Sequence, residues 1–420
     1  MEALRSLPSD AHPPCRLCGE PLRQVALDLG MSPLCQTVVL PEQLDAREDF
    51  FPLRVRVCES CFLVQLAESV SPERLFQEYP YFSSYVDALV ESGRRYCEAM
   101  CARFGLGPAS RVVEVASNDG YLLQHFVARG IPALGIEPAG NVAEAARKRG
   151  VPTLSRFFGR ETARFVAERD GRANLVLGNN VFAHVPDLND FTAGLALLLA
   201  PGGVVTLEFP HLLTLLEGNQ FDTIYHEHFS YFSFTTAATA LERHGLRVFD
   251  VEEIAIHGGS LRLFACHSGD ASKPETAAVA AFRAREHEAG LLRVERYRAF
   301  EARVHATKNE LLAGLIEQKR AGKRIVGYGA AGKSVTLLNY CGIRTDYLDY
   351  LVDRNPYKQG KYFPGVRIPI FAPEKIRETK PDFVLILPWN LREEVIRHTA
   401  YIREWGGRWL VPIPRFEIVA

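Results

Sequence analysis

Hydrophobic residues recur along the chain at two different spacings, and these spacings predict the secondary structure. Short apolar runs rich in valine and leucine, such as RVVEVAS, NLVLGNN and PDFVLILPW, have the length of buried strands. Segments such as NVAEAARKRG and LNDFTAGLALLLAPGG place apolar residues three or four positions apart, which indicates amphipathic helices. Strands and helices alternate through the middle of the chain and again near its C-terminus. This alternation predicts α/β units with parallel sheets covered by helices on both faces.

Changes in this pattern divide the chain into three parts. Residues 1–75 are rich in cysteine, proline and turns, and contain the strand-like run FPLRVRVCESCFLVQL. Residues 76–270 carry the longer α/β series, which ends in the strands LRVFDVEEI and SLRLFACH as a candidate closing hairpin. Residues 271–420 begin with a long helical stretch, either one connector helix or a helix pair, and continue as a second, smaller doubly wound unit. Three domains are compatible with a length of 420 residues.

Composition narrows the class of protein. The formal net charge is −1 and charged residues make up 24% of the chain, so no basic field is available for a nucleic-acid backbone. The polar, proline-broken start MEALRSLPSDAHPPC does not resemble a signal peptide, and no apolar run is long enough to span a membrane. We therefore expect a cytoplasmic protein without nucleic-acid or membrane partners. The sequence leaves the oligomeric state open, and a monomer is compatible with it.

Four of the nine cysteines form two CxxC pairs, Cys15 with Cys18 and Cys58 with Cys61. Each pair can bind one edge of a tetrahedral metal ion, and together they predict a structural zinc site without open coordination positions. The alternative is a set of reduced thiols in a core. The long gap between the pairs leaves room for a loop that carries Cys35.

The run VVEVASNDGYLL predicts a strand, a turn and a helix, an arrangement that can bind a ligand against backbone N–H groups. Gly120 supplies flexibility in the turn, with Ser117 and Asn118 in the other places. About twenty residues later a second strand ends in Glu137, where a carboxylate can bind ribose hydroxyls. A nicotinamide dehydrogenase would share this layout. The acidic residue in the first strand, Glu114, and the segment LLLAPGGVVTLEFP favour an S-adenosylmethionine-dependent methyltransferase.

The next strand ends in Asn179 and Asn180, at the sheet edge where a cofactor would lie, with His184 just beyond. The asparagines could instead cap a turn, and the histidine could be a core residue. Both interpretations stay open from the sequence alone.

The densest cluster of chemical groups is FDTIYHEHFSYFSF, residues 221–234, which follows the strand VVTLEFP beside the expected cofactor crevice. If the loop is extended, His226 and His228 share one face while Tyr225 and Glu227 share the other. A histidine there could act as a general base, with a tyrosine hydroxyl stabilising an oxyanion. Alternatively, the two histidines and the carboxylate could bind a metal ion, or the phenylalanines could simply fill a core.

The C-terminal unit opens with GYGAAGKS. Its turn offers backbone N–H groups and Lys333 to an anion such as a pyrophosphate, although the spacing is not that of a P-loop. A structural tight turn is the alternative.

Taken together, these segments resemble the S-adenosylmethionine-dependent C-methyltransferases that act on nucleotide-linked 4-keto-deoxysugars in antibiotic and surface-polysaccharide pathways. The resemblance covers almost the whole chain. Besides the paired CxxC motifs, it is carried by EYPYFSSYVDAL, VASNDGYLL, GIEP, NNVFAHVPDL, FDTIYHEHFSYFS, HGGSLR, GYGAAGKSVTLLNYCGI and VDRNPYKQGKYFPGVRIPI.

The resemblance implies an α/β fold with a small zinc-binding N-terminal module (1–75), a central class I, Rossmann-like methyltransferase domain (76–270) and a C-terminal Rossmann-like α/β domain (271–420). The last domain would help to bind the nucleotide sugar. The implied reaction methylates carbon 3 of the sugar after His228 removes the proton acidified by the 4-keto group. Tyr225, Glu227, His184 and Tyr79 match the remaining polar active-site positions of the family.

The implied ligand contacts follow the same motifs. Those to S-adenosylmethionine fall on Glu114, Ser117, Asn118, Gly120, Glu137, Pro138, Asn179 and Asn180. Those to the nucleotide-linked sugar fall on Tyr81, Lys333 and Asn339. The chain departs from the family in LGMSPLCQTVVLPEQ and in GAAGKS, which affects the zinc loop and the nucleotide contacts. Two alternatives are another acceptor, such as carbon 5 of the sugar or a non-sugar metabolite, and a non-catalytic zinc-containing binding protein.

Overall fold

The structure is a computed structural model that describes residues 12–35, 37–67, 70–71, 74–75, 82–256 and 258–420. Tyr79 and Tyr81 lie outside these residues. No helix within the described ranges is both long and apolar enough to cross a membrane.

The N-terminal part forms a small antiparallel sheet that a much later strand completes. Its strands are β1 (Gln24–Ser32), β2 (Phe51–Val57) and β3 (Val64–Leu66), and β3 pairs with β9 (Ser230–Tyr231). Every second residue of β2 from Leu53 onward is buried, as expected of a strand with one face on a core. Strand β9 lies within residues 221–234, called the histidine loop below, so this loop shares one sheet with the cysteine-rich module of residues 1–75.

The central part contains a seven-stranded sheet with helices on both faces. Its strands are β4 (Val112–Val115), β5 (Ala133–Ile136), β6 (Thr153–Leu154), β7 (Ala173–Asn179), β8 (Leu199–Pro210), β10 (Leu246–Ile254) and β11 (Ser260–His267). The strand order is β10-β11-β8-β7-β4-β5-β6. Strands β4 to β8 are parallel, and β11 is antiparallel to both β8 and β10, which confirms the predicted closing hairpin.

The helices that accompany this sheet lie in the connections between its strands, before it and after it. They are α1 (Asp87–Phe104), α2 (Leu123–Val127), α3 (Gly140–Lys148), α4 (Arg160–Asp170), α5 (Leu188–Leu198), α6 (Leu212–Glu217) and α7 (Phe234–Glu242). The following helical stretch is a pair, α8 (Ala277–Glu288) and α9 (Val294–Arg320). Of the two arrangements left open by the sequence, the helix pair is therefore the one observed.

The C-terminal part has a six-stranded sheet in the order β14-β13-β12-β15-β16-β17, with only β17 antiparallel. The strands are β12 (Ile325–Tyr328), β13 (Leu351–Val352), β14 (Ile370–Phe371), β15 (Phe383–Ile386), β16 (Arg408–Val411) and β17 (Glu417–Val419), and the helices are α10 (Gly332–Cys341), α11 (Lys375–Thr379) and α12 (Arg392–His398). The segment NLREEVIRHTAYIREWGG, whose composition predicts a single helix, is split into α12 and a 3₁₀ helix, Ala400–Trp405.

Side chains from the central part bind the cysteine-rich module directly. The Nδ2 atom of Asn189, in α5, donates hydrogen bonds to the carbonyl oxygens of Arg16 and Leu17, at 3.0 and 3.2 Å. Arg243 donates to the same Leu17 carbonyl. These bonds satisfy carbonyl groups of the first CxxC turn, so the module is bound to the helical layer of the central part.

Candidate active site

A cavity of about 390 Å³ lies at the carboxyl ends of the parallel strands of the central sheet. Three parts of the chain line it: the strand ends around Glu137 and Asn179, the histidine loop, and Gly332 with Lys333 at the start of α10. This is the sheet edge at which open α/β folds bind ligands. The volume is sufficient for a small-molecule site.

The side of the cavity next to β5 is organised by Glu137, which is 6% exposed. Its carboxylate oxygens accept hydrogen bonds from the backbone N–H groups of Asn118 (3.0 Å) and Ala139 (2.9 Å). Burial raises the pKa of Glu137 to about 7. Since a carboxylate has about four acceptor sites, both oxygens can still accept bonds from the hydroxyls of a ribose. Pro138 lines the cavity beside it.

The turn after β4 contains several residues with a left-handed backbone conformation. Ala116, Asn118 and Gly120 all have positive φ, at 56°, 48° and 76°. Asn118 lines the cavity, and its Oδ1 accepts a hydrogen bond from the backbone N–H of Ser83 at 2.9 Å. The structure thus brings Asn118 to the expected position.

Three residues expected to contact the cofactor do not line this cavity. A Cβ added at Gly120 would lie 2.9 Å from Cγ2 of Val151, so this glycine allows close packing of the turn. Ser117 is fully buried against Gly135. Glu114, 1% exposed, lies within the sheet, where burial, and then the nearby Glu208, raise its pKa well above the ordinary range.

Asn179 and Asn180 follow β7, and both line the cavity. The Oδ1 atom of each is buried without a hydrogen-bond partner among the described residues. Asn180 also has a positive φ of 54°, which turns the chain at the sheet edge. Because a buried unpaired acceptor costs free energy, these two amides are suited to bind a polar ligand.

The histidine loop is a tight turn rather than the extended segment assumed above. The backbone N–H of His228 donates to the carbonyl oxygen of Tyr225 at 2.9 Å, which closes a turn over these four residues. As a result Tyr225 and His228 lie side by side, with ring centroids 4.1 Å apart. His226 points away, where its Nε2 donates to the carbonyl oxygen of Pro52 at 3.2 Å. The expected pairing of the two histidines on one face is therefore wrong, and the histidines do not converge on a shared metal position.

His228 lines the cavity and is 8% exposed. Its Nδ1 donates a hydrogen bond to the carbonyl oxygen of Thr223 at 2.9 Å. A carbonyl can only accept, so the proton of the neutral ring is on Nδ1 and the lone pair is on Nε2. The ring of His184 packs edge-on against that of His228, with centroids 4.8 Å apart. The site thus holds one histidine in the tautomer that a base requires.

Glu227 and Tyr225 complete this wall of the cavity. The Sγ atom of Cys35 donates a hydrogen bond to Oε1 of Glu227 at 3.2 Å. Burial, together with the neighbouring Cys35 and Glu227, raises the pKa of Tyr225 well above its usual range. Tyr225 therefore keeps its phenolic proton at neutral pH and can donate a hydrogen bond.

Lys333, which also lines the cavity, is half-buried, and its Nζ donates to Oδ1 of Asn390 at 2.7 Å. The ammonium group also lies 4.6 Å from the ring centroid of Trp389. The Nε1 atom of Trp389 donates to Oδ2 of the fully buried Asp222 at 2.7 Å. This bond joins the C-terminal part to the histidine loop.

Asn339 lies away from the cavity. Its Nδ2 donates to the carbonyl oxygens of Val335 and Pro364, at 2.9 and 3.2 Å, and its Oδ1 packs against Gly365. The structure therefore gives Asn339 a structural place between α10 and a neighbouring loop. Because Asn339 bonds to these neighbours and does not line the cavity, it is not placed to make the expected contact with the substrate.

Cys15, Cys18, Cys58 and Cys61 converge, with all four Sγ atoms within 4.8 Å of one another. The Sγ atoms of Cys15 and Cys61 are 3.5 Å apart, and those of Cys18 and Cys58 are 3.4 Å apart. Four thiolates around a tetrahedral zinc ion, with Zn–S bonds of about 2.3 Å, would be separated by roughly 3.8 Å. The cluster therefore fits a zinc ion.

Comparison with known proteins assigns a family to this arrangement. Three family models match successive parts of the chain: "Putative zinc binding domain" over residues 15–76, "Methyltransferase domain" over residues 89–251 and "C-methyltransferase C-terminal domain" over residues 255–414. C-methyltransferase NovU of Streptomyces niveus is 38% identical over 409 residues, covering 97% of this chain and 96% of the relative. This chain belongs to that C-methyltransferase family.

More distant similarities cover only part of this C-methyltransferase. An uncharacterized methyltransferase of Mycobacterium leprae is 26% identical over 134 residues, 31% of this chain and 49% of the relative. Magnesium protoporphyrin IX methyltransferase from Synechocystis PCC 6803, solved with bound SAH, matches with a TM-score of 0.35 and 14% identity, covering 43% of this chain and 83% of that chain.

The protein is an S-adenosylmethionine-dependent C-methyltransferase with a zinc-binding module, as the sequence predicted. The cavity fits the cofactor because the unpaired Oδ1 atoms of Asn179 and Asn180 face the same space as Glu137.

Three residues of the C-methyltransferase site escaped the sequence analysis: Cys35 as a partner of Glu227, and Asp222 and Trp389 as a contact between distant segments. Asp222 and Trp389 are 167 residues apart, and no local pattern indicates that they meet. Cys35 could have been suspected because it interrupts the zinc loop as a thiol without a CxxC partner.

Proposed function

We propose that this C-methyltransferase transfers the methyl group of S-adenosylmethionine to carbon 3 of a nucleotide-linked 4-keto-deoxysugar. The proposal is carried by one observation: His228, with its lone pair on Nε2, lies against Tyr225 in a cavity that both the cofactor strands and Lys333 line. Methylation of a carbon requires a base and a group that stabilises the resulting enolate. Methylation of a hydroxyl would require only the base.

In the proposed reaction, Nε2 of His228 accepts the proton from carbon 3, which the adjacent 4-keto group makes acidic. The electron pair of the broken C–H bond moves into the C3–C4 double bond, and the negative charge develops on O4. The phenol of Tyr225 donates a hydrogen bond to that oxygen, a role supported by its raised pKa. When bound, S-adenosylmethionine would supply the electrophilic methyl group: carbon 3 bonds to it as the S–CH₃ bond breaks, which leaves S-adenosylhomocysteine and restores the 4-keto group.

We assign the remaining polar groups to binding and orientation. Glu227 and His184 line the cavity next to His228 and would orient the sugar. Lys333, at the first turn of α10, would bind the diphosphate of the nucleotide, because the backbone N–H groups of that helix end favour an anion. The C-terminal segment, residues 271–420, would thus contribute to nucleotide-sugar binding. Tyr79 and Tyr81 remain expected substrate contacts outside the described residues.

The proposal is tested by supplying the purified protein with S-adenosylmethionine and a panel of nucleotide-linked 4-ketosugars, and by locating the methyl group of any product by NMR. Product methylated at carbon 3 is expected, with a free nucleoside diphosphate as a competitive inhibitor. Methylation at carbon 5 would refute the assignment of carbon 3 but retain the enolate chemistry, because carbon 5 is also adjacent to the 4-keto group.

A second measurement isolates the base. Without a methyl donor, the enzyme should exchange the carbon 3 proton of the ketosugar for deuterium from D₂O, because enolate formation does not require methyl transfer. If the protein shows neither exchange nor methylation with any ketosugar, the proposed acceptor class is refuted. That result would favour a non-sugar metabolite as acceptor, or a binding protein.

A further inference from the structure

Cys35 comes from the zinc-binding module, and its thiol contacts Glu227, which lines the active-site cavity. It lies between β1 and β2, is 5% exposed and is separate from the four-cysteine cluster. Its Sγ donates to Oε1 of Glu227 at 3.2 Å, which is within the range of a hydrogen bond to sulfur. No other thiol makes such a bond to a cavity-lining carboxylate among the hydrogen bonds of the described residues.

The thiol is suited to this position as a permanent donor. Burial, and then the proximity of Glu227, raise the pKa of Cys35 well above its ordinary value, so the thiol stays protonated at neutral pH. The thiol proton is therefore available for the carboxylate throughout the neutral range.

Glu227, the partner of Cys35, is a buried carboxylate that depends on hydrogen-bond donors. Glu227 is 2% exposed and occupies the closed turn between Tyr225 and His228. A carboxylate in such a place requires hydrogen-bond donors to hold its charge and its rotamer. Without the thiol, Oε1 of this buried carboxylate would lose a donor.

We propose that Cys35 is a positioning residue that holds the carboxylate of Glu227 in its catalytic orientation, so that the zinc-binding module contributes directly to the methyl-transfer site. This proposal rests on the role of Glu227 in the proposed function but is independent of the acceptor's identity. It also gives the position of the module a functional reason, because Cys35 is placed by the same fold that the four-cysteine cluster stabilises.

The test is a double-mutant cycle of Cys35→Ala and Glu227→Gln, with Cys35→Ser as the conservative variant. Loss of one hydrogen bond to a charged group predicts a decrease in kcat/KM of about tenfold in Cys35→Ala, mostly in kcat. Cys35→Ser keeps a donor on a shorter side chain and should recover part of the loss. In the Glu227→Gln background, Cys35→Ala should have little further effect, because its target is already altered.

Cys266→Ala provides the matched control, since it removes a fully buried thiol from β11, away from the cavity. It should destabilise the fold but leave kcat/KM of the folded enzyme unchanged. Effects of Cys35→Ala and Glu227→Gln that simply add, or a Cys35→Ser variant no better than Cys35→Ala, would overturn the proposal.

The same cycle measured by urea unfolding separates this proposal from the proposed function. If the wild-type enzyme methylates no ketosugar but Cys35 and Glu227 are coupled in the free energy of unfolding, the acceptor assignment fails and the contact stands. If ketosugar methylation is observed without coupling in either measurement, the role of Cys35 fails alone.

Discussion

The Nδ1 atom of His228 donates its proton to the carbonyl oxygen of Thr223, 2.9 Å away in the same loop. This bond within the loop therefore selects the tautomer of the ring. The carbonyl belongs to the last residue of a 3₁₀ helix, Phe221–Thr223, which the bond between Asp222 and Trp389 ties to the C-terminal part. The orientation of His228, the proposed base, thus depends on packing between segments far apart in sequence.

Replacing His228 with asparagine should nearly abolish methyl transfer while leaving the affinity for S-adenosylmethionine unchanged. Asparagine retains polarity but has no basic nitrogen, and loss of a general base typically lowers rates by about a thousandfold. Single-turnover rates, together with cofactor binding by calorimetry, would measure both effects. An equal loss of cofactor affinity would mean that His228 is mainly structural.

His226→Asn is the matched control for this experiment because it makes the same replacement at the other histidine of the turn. Its ring bonds to Pro52 and packs against Phe51, outside the cavity. This variant should lower stability but retain methyl transfer per folded molecule. A rate as low as that of His228→Asn would contradict the assignment of the base.

The affinity for S-adenosylmethionine should increase as the pH rises through about 7, because burial places the pKa of Glu137 there. The ionised carboxylate accepts hydrogen bonds from ribose hydroxyls at both oxygens, so binding favours the deprotonated form. In the ligand-free protein the raised pKa has the opposite consequence: the contribution of Glu137 to the free energy of unfolding is present at low pH and is lost as the pH rises through 7.

Cofactor titrations between roughly pH 6 and 8 would measure this dependence, with Glu137→Gln as the variant that cannot ionise. The glutamine variant should bind more weakly and show a flatter pH profile. Glu144→Gln, at a solvent-exposed position in α3, should behave like the wild type. A pH profile of Glu137→Gln identical to that of the wild type would exclude Glu137 as its source.

Cys58→Ser should reduce both the zinc content and the thermal stability of the protein. Serine cannot replace a thiolate in a four-sulfur site, so the remaining cysteines would bind the ion weakly. Metal analysis and thermal unfolding would check the two effects. Cys97→Ser is the control, because it makes the same replacement at an equally buried cysteine on α1 that is not in the cluster. Zinc loss in the control, or a fully loaded Cys58→Ser variant, would contradict the cluster assignment.

The sequence was sufficient to predict the strand and helix series because the hydrophobic spacing is clear in VVEV, VVTLEFP and α3. It also indicated Glu137, Asn179 and Lys333, since residues at strand ends and helix starts reach the same sheet edge whatever the side-chain details. The four-cysteine cluster followed from CxxC spacing alone.

The arrangement within the histidine loop could not be obtained in this way. An extended strand would place His226 and His228 on one face and Tyr225 on the other. The observed four-residue turn instead places Tyr225 beside His228 and directs His226 elsewhere. The short segment has no glycine or proline to identify this turn. What determines it is tertiary: β9 pairs with β3, and His226 packs against β2. Such long-range contacts have no local signature in the sequence.

A glycine at position 120 should be required by close packing against Val151, which a substitution can test. An alanine at this position would have its Cβ 2.9 Å from Cγ2 of Val151 and would adopt a φ of 76°. Gly150, with a φ of 81° and no atom within 4 Å of an added Cβ, has the same backbone conformation without the close neighbour. Gly150→Ala should therefore cost about 1–2 kcal/mol for the left-handed backbone alone. Gly120→Ala should cost about 1–3 kcal/mol more, because a methyl group is forced into a packed turn. Urea unfolding of both variants would measure the difference, and equal costs would show that Val151 yields without resistance.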